Sequence, residues 1–486
     1  MANANLLGLS DAFGANVAVP TDGSVDTGQI AARLDRLPAT RSQWRLIVLL
    51  GFGMFFEMYD LFFSGYVAPG LVRAGLFAGA GTVSGQPGIA SFMAALALGL
   101  FVGTCFCGQL ADRYGRRAIF TWSLLGYALA NLHMVLQTTA TGILVCRFLV
   151  GIGIGVEIVT LGTYIAELSP RHMRGRAMAA AQAIGFTAMP VVAFISWALI
   201  PERILGLEGW RWVVLLGCHG AVFVWFVRRG LPESPRWLAS RGRLAEADAV
   251  LREMERRTRI DLGGRALPAP GEPVAAPASV EGRFADLWAP PLRRRTLMLI
   301  AFHVFQTVGY YGFINWVPTL LVHHGVTVTS GLLYSSLMAL AAPLGPLLGL
   351  VIADRFERKH VIVAMAATNM ACGLLLSQAA APVLVVSLGI GLTLAGNILS
   401  FTYHTYQQEL FPTAIRARAV GFVYSFSRLS SIATSFVIAW VLGAAGTPAV
   451  FLLISAAMAI VMLAIGLFGP RTRGQSLEAL SARAAR

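Results

Sequence analysis

Five charged side chains stand inside otherwise apolar runs: Glu57, Asp60, Arg147, Glu157 and Arg428. In hydrocarbon each costs several kcal/mol unless it lines water or meets a partner. Such residues therefore mark places where protons or charged groups are handled. Glu57 lies three residues before Asp60, on nearly the same helical face. At about 1.5 Å per residue, Asp60 lies roughly 13 Å and Arg147 roughly 9 Å from the outer ends of their helices, so they meet at similar depth. The pair suits reversible protonation, because a nearby guanidinium favours the carboxylate whereas separation in a drier site favours the neutral acid. A permanent ion pair between two helices is the competing reading. Glu57 is placed to share the proton or polarise the site. Glu157, on the helix of Arg147, suits either a proton relay or a network at the helix end.

The elements that carry these charges are built for lipid. Of 486 residues, 56% are hydrophobic and 13% charged, with a mean hydropathy of +0.67, too little polar surface to cover a soluble globule of this size. A spanning helix needs roughly 20 mostly apolar residues. At that length the first bundle (45–228) holds six spans, near 45–69, 89–110, 118–137, 141–166, 177–200 and 210–228. The second bundle (296–469) holds six more, near 296–321, 331–352, 360–379, 382–407, 419–442 and 448–469. Residues 1–44, 229–295 and 470–486 form the N-terminal segment, the central loop and the tail. The fold class predicted is an all-α polytopic membrane protein with twelve transmembrane helices in two six-helix halves.

Arginine placement sets the orientation. Arg113, Arg116 and Arg117, then Arg171, Arg174 and Arg176, then Arg355, Arg358 and Lys359, then Arg416 and Arg418 fall in alternate loops on one side. Short basic loops stay cytoplasmic, so both termini are predicted inside, in a multi-pass protein of the cell inner membrane. The net charge of +14 is spread between apolar runs, not on a basic face, so no nucleic-acid partner is expected. The scattered Cys105, Cys107, Cys146, Cys218 and Cys372 lack metal or redox spacing, and no metal or cofactor is expected. No removable signal peptide is evident. A helix is predicted over Leu244–Arg257, a flexible linker over Arg265–Ala278, and a short amphipathic helix on the membrane surface over Ile30–Leu37. Gly151-Ile-Gly-Ile-Gly155 lacks the strand and turn of a nucleotide loop and predicts close helix packing. His133, His303 and His404 read as packed, hydrogen-bonded residues, with His404 beside Tyr403 the best placed for a proton relay.

Two motifs recur at one offset of 242 residues, the mark of internal duplication. Ala111-Asp112-Arg113-Tyr114 returns as Ala353-Asp354-Arg355-Phe356. Tyr164, Glu167, Leu168, Pro170, Arg174, Arg176 and Ala177 return as Tyr406, Glu409, Leu410, Pro412, Arg416, Arg418 and Ala419. Two parallel halves place a transport path at their interface near mid-bilayer. The loop Gly108–Arg117 resembles the signature loop of the major facilitator superfamily. Arg147–Gly155, Tyr164–Pro170, Pro232-Glu-Ser-Pro-Arg-Trp237 and Pro470–Glu478 resemble sugar-porter signatures. Arg471 stands where those transporters usually have Glu, and Glu357 replaces an expected Gly, so the locks at the basic loops are expected to be asymmetric.

The resemblance implies a gating network at the basic loops, made here of Asp112, Arg116, Glu167, Arg174, Asp354, Arg355, Glu409 and Arg416; simple anchoring is the other reading. It also implies that Asp60 accepts the proton and Arg147 is its switching partner. The seventh-span run Gln306–Thr319 departs from the sugar-binding pattern. Together with Phe-Glu-Met-Tyr-Asp60 it looks more like the aromatic-acid and metabolite:proton symporters, niacin-type carriers included. That resemblance implies proton-coupled symport of a small organic acid by a monomer embedded in the lipid bilayer. Arg428 is the candidate partner of a substrate carboxylate, and Gln182, Gln306, Tyr310, Tyr311, Asn315, Trp316 and Tyr403 are candidates to line the pocket. A sugar or polyol porter and an organic-cation exporter are the alternatives. An enzyme is not expected, since no nucleophile–base or metal constellation is seen.

Overall fold

A computed structural model describes residues 27–77, 86–106, 113–218, 231–270, 284–323, 325–379, 381–411 and 415–472. With no water in hydrocarbon to satisfy backbone groups, apolar runs of this length become helices. Among the described residues, nine helices are long and apolar enough to cross a membrane. The last, Arg416–Phe468, is two spans joined at Gly446, whose φ of 75° a glycine adopts without strain, just before Pro448. With Gln86–Phe106 and the helical start of the sixth span at 209–218, the order accommodates twelve.

The first span runs from Arg41 to Arg73, a turn longer at each end than expected; the third is Arg116–Val135, the fourth Ala140–Leu168, the ninth Arg358–Leu376 and the tenth Pro382–Glu409. Three spans are broken: the fifth into Arg174–Phe186 and Ala188–Leu199, the seventh into Pro290–Ile314 and Val317–His323, and the eighth into Val328–Ala339 and Leu344–Arg355. The seventh breaks because Pro318 carries no N–H, and the turn tightens so that the Trp316 N–H bonds the Phe313 carbonyl.

Within the first half the second and third spans pack on the fourth; within the second half the seventh packs on the eleventh and twelfth. The halves meet where the second span touches the kinked last helix and where the fifth touches the eighth. The close packing read from Gly151–Gly155 is what the structure shows. A Cβ on Gly151 would meet the Leu96 carbonyl and stand 2.9 Å from the Gly99 Cα, and one on Gly155 would stand 2.6 Å from the Leu100 carbonyl. Because these neighbours are backbone, they cannot rotate away. Gly151→Leu, one turn from Arg147, is therefore expected to cost about 3 kcal/mol or more through overpacking. The check is a sharply reduced yield of monodisperse protein and a lower melting temperature in detergent.

At the end of the bundle bearing the arginine loops, called here the basic end, the helix Thr27–Asp35 does not lie on a membrane surface as its pattern suggested. Its Ile30 and Leu34 are buried, with Leu37, against Trp237, Leu251 and Met254 of the helices Pro235–Ser240 and Leu244–Asp261. Arg33 bridges Asp248 at 2.6 Å and Glu255 at 2.9 Å, and Arg36 bridges Glu255 at 2.7 Å. Burial opposes ionisation of Glu255, but these two arginines outweigh it and hold the carboxyl below its ordinary range. Residues 265–270 are irregular, and the rest of the expected linker, 271–278, lies outside the described residues.

Candidate functional site

Between the halves lies a cavity of about 560 Å³. The first half contributes Glu57, Met58 and Leu61 from the first span, Thr163 from the fourth, and Met178 and Gln182 from the fifth. The second half contributes Gln306, Tyr310 and Tyr311 from the seventh, Asn397, Tyr403, His404 and Gln408 from the tenth, and Gly421, Tyr424 and Arg428 from the eleventh. Thr163, Met178, Gln408 and Gly421 each stand within about two turns of a helix end at the basic loops, so the cavity runs from mid-bundle toward that end. Beyond it the spans close together. A Cβ on Gly65 of the first span would lie 2.6 Å from the carbonyl of Asn315 in the seventh.

Arg428 dominates the cavity wall. Its side chain is 3% exposed, donates to the Tyr424 hydroxyl at 3.1 Å and the Tyr311 hydroxyl at 3.4 Å, and leaves Nε without an acceptor among the described residues. The guanidinium lies 5.1 Å from the Tyr424 ring centroid. Among the described residues no carboxylate comes within ion-pair distance of it. Aromatic rings surround the site. His404 stacks on Tyr403 with centroids 4.2 Å apart, Tyr310 and Tyr311 meet edge to face at 5.3 Å, and the Tyr310 hydroxyl donates to the Asn397 side-chain oxygen at 2.8 Å. A buried cation among amphipathic rings is suited to a planar anion. The packed role expected of the histidines fits two of them: His303 Nε2 is 2.9 Å from Gln407 Oε1, and His404 Nδ1 is 2.7 Å from the Ser400 carbonyl. His133 is instead exposed, its ring 2.9 Å from the Gln137 amide one turn on.

Asp60 and Arg147 do meet, at 2% and 0% exposure, but not as carboxylate and guanidinium, and neither lines the cavity. Arg147 donates to the Asp60 backbone carbonyl at 2.7 Å and makes a short hydrogen bond to Ser64. Its guanidinium sits over Phe63, 4.3 Å from the centroid. The Asp60 carboxylate instead accepts from Asn131 of the third span at 2.7 Å. The competing reading of a permanent Asp60–Arg147 ion pair is therefore corrected for this state: Ser64, one turn along the helix, takes the guanidinium. Asn131 escaped the sequence reading because a neutral amide in an apolar span carries no charge signal.

Two other expectations are corrected at the seventh-span break. Trp316 is 1% exposed and turns into the apolar core, and Asn315 packs its backbone against Gly65, so neither lines the cavity. Gln182, Gln306, Tyr310, Tyr311, Tyr403 and Arg428 do line it, with Glu57. Glu157 is fully buried on the fourth span and off the cavity wall.

At the basic end Arg116 bridges Glu167 at 3.1 Å, and Arg358 bridges Glu409 at 3.2 Å. Both partners move by the same 242 positions, so the second bridge repeats the first, and Arg358 was the member missed. Arg355 is exposed, with no ion pair to a described residue, and Arg174 lies near Asp35 and Arg236. Asp112 lies outside the described residues, and the side chains of Asp354 and Arg416 lie outside them too.

The departures from the sugar-porter pattern fit together. In the first half the Tyr164 hydroxyl bonds the Pro232 carbonyl, while Glu233 accepts from the Arg117 N–H at the start of the third span. Burial pushes the Glu233 carboxyl up, against the Ser234 and Arg117 N–H groups that favour its charge. In the second half the Tyr406 hydroxyl bonds the Pro470 carbonyl at 2.8 Å, but the acid has changed sides. Glu357, at the start of the ninth span, accepts from the Thr472 N–H at 2.9 Å.

Residues 46–483 match the family model described as Sugar (and other) transporter. The putative metabolite transport protein YyaJ of Bacillus subtilis is 33% identical over 450 residues, covering 92% of this chain and 96% of that protein. The niacin transporter NiaP of Acinetobacter baylyi is 27% identical over 460 residues, covering 93% and 99%. Among solved structures, the partially occluded inward-open xylose transporter XylE from E. coli superposes with a TM-score of 0.72 at 18% identity, over 89% of this chain and 99% of that one.

Proposed function

The chain belongs to the Sugar (and other) transporter family, with the fold of the major facilitator superfamily, and from that premise we propose that it is a proton-coupled symporter of a small organic anion, an aromatic carboxylate foremost. It works as a monomer by alternating access, in a bacterial inner membrane with both termini cytoplasmic. On that orientation the cavity faces the cytoplasm, and the bridges Arg116–Glu167 and Arg358–Glu409 stiffen each half at its cytoplasmic end.

The observation that carries the substrate class is Arg428. A guanidinium held in a membrane cavity by two tyrosine hydroxyls, with no carboxylate at ion-pair distance among the described residues, is matched by an entering carboxylate. The niacin carriage named for one relative points to the same chemistry. Asp60, off the substrate cavity but buried beside Arg147, is the proton acceptor, and Glu57 links it to the cavity wall. Glu157 adds a second buried acid on the helix of Arg147. A sugar or polyol is the second reading, favoured by the amides of Gln182, Gln306 and Asn397 on the same wall.

The test is a panel in proteoliposomes with an inward proton gradient: labelled benzoate, nicotinate, a short aliphatic acid, xylose, a polyol and an organic cation. Accumulation of a carboxylate above equilibrium, collapsed by a protonophore, is the expected result. Accumulation of xylose or the polyol alone would move the assignment to the second reading.

A further inference from the structure

The polar cluster behind the cavity divides its bonds unevenly. Asp60 presents its carbonyl to Arg147 and its carboxylate to Asn131, while Ser64 holds the guanidinium. Two sets of polar atoms are left over. Arg147 Nε and Nη1 are buried without acceptors among the described residues, and so is Asn131 Oδ1 without a donor. Buried groups of this kind are costly, more so when charged, and a second arrangement is open to the same side chains. In the other, the guanidinium leaves Ser64 and takes the Asp60 carboxylate, and Asn131 is released.

We propose that Asn131 and Ser64 are the positioning residues of the proton switch, holding apart the Asp60 carboxylate and the Arg147 guanidinium in this state and exchanging partners when the transporter changes state. The proposal rests on the proton-coupled reading above. Asn131 is suited to the task because it is neutral: an amide can donate to a carboxylate and accept from a protonated carboxyl by rotating, without a charge of its own. Ser64 competes with the carboxylate for one guanidinium. Around Asp60 stand Asn131 from the third span, Arg147 and Glu157 from the fourth, Gly217 and Cys218 from the sixth, and Tyr59 and Glu57 on its own helix. Of these, Asn131 and Arg147 are the ones bonded to Asp60.

The two residues pull the proton equilibrium in opposite directions, and this makes the proposal testable without a substrate. The probe is the infrared carbonyl band of the protonated Asp60 carboxyl, taken in purified full-length protein as wild type minus Asp60→Asn and followed against pH. In an Asn131→Leu background, loss of a hydrogen bond to the carboxylate should move the midpoint up by about one unit or more. In a Ser64→Ala background, the freed guanidinium should turn to the carboxylate and move it down. General loosening of the bundle would move both the same way. Opposite shifts support the proposal; unchanged midpoints or shifts of one sign overturn it. Should leucine not fold, Asn131→Ala removes the same donor. Failure here leaves the coupling reading intact, because that reading is decided separately by whether Asp60→Asn still accumulates substrate.

Discussion

Asp60→Asn is expected to abolish accumulation driven by a proton gradient while exchange of labelled for unlabelled substrate persists. The asparagine is nearly isosteric, carries no charge into the buried site, and keeps an oxygen to accept from Asn131 and a backbone carbonyl for Arg147, so the fold has little reason to fail. What it cannot do is gain or lose a proton. A symporter whose coupling group is fixed in the neutral, loaded form still rearranges around its substrate, but a gradient no longer biases the direction. For one proton per substrate, a gradient of one pH unit supports at most about tenfold accumulation, equal to about 1.4 kcal/mol. The variant should fall from that toward equality of concentrations. The check is paired accumulation and counterflow in the same proteoliposomes. Loss of both would mean that Asp60 is structural. Full retention of accumulation would move the proton to another acid, Glu57 first, because it lies on the same face and lines the cavity.

How much of this was legible in the sequence depended on whether a residue announced itself by charge or by repetition. The fold was legible because lipid forces apolar runs into helices, and the fixed offset of 242 positions located the second half. The same arithmetic carries Arg116 to Arg358, and applying it to the arginine as well as to Glu167 would have found the second bridge. Asn131 and Ser64 were not legible, since neither carries a charge and both depend on which helices meet. Trp316 was misplaced because a single-sequence reading continues a helix through Asn315, whereas Pro318 breaks it and rotates the indole into the core. Helix Thr27–Asp35 shows the same limit. Its amphipathic pattern fits a membrane surface or a protein groove equally, and the acids that choose the groove, Asp248 and Glu255, lie more than two hundred positions away.

Arg428→Gln is expected to raise the Michaelis constant for a carboxylate substrate by about 30-fold or more, the equivalent of about 2 kcal/mol for removing one partner of a buried charge pair. The magnitude follows from the environment. In water a guanidinium–carboxylate pair is worth little, but here the cation is 3% exposed and its described hydrogen bonds go to two neutral hydroxyls, so among the described residues no carboxylate at ion-pair distance replaces the substrate's charge. Arg428→Lys keeps the charge and should recover only part of the affinity, because a single ammonium cannot reproduce the two-pronged match of guanidinium to carboxylate while still reaching Tyr311 and Tyr424. Glutamine also removes a buried charge, so the variant should fold at least as well as the parent, and its defect should appear in binding of carboxylates and not in yield. The decisive comparison is between ligands. If both variants weaken a carboxylate while a neutral amide analogue of the same ring binds as before, the guanidinium reads the substrate's charge. If carboxylate and amide weaken together, Arg428 holds the tyrosine cluster in place, and the sugar or polyol reading, with its amide-lined wall, becomes the stronger one.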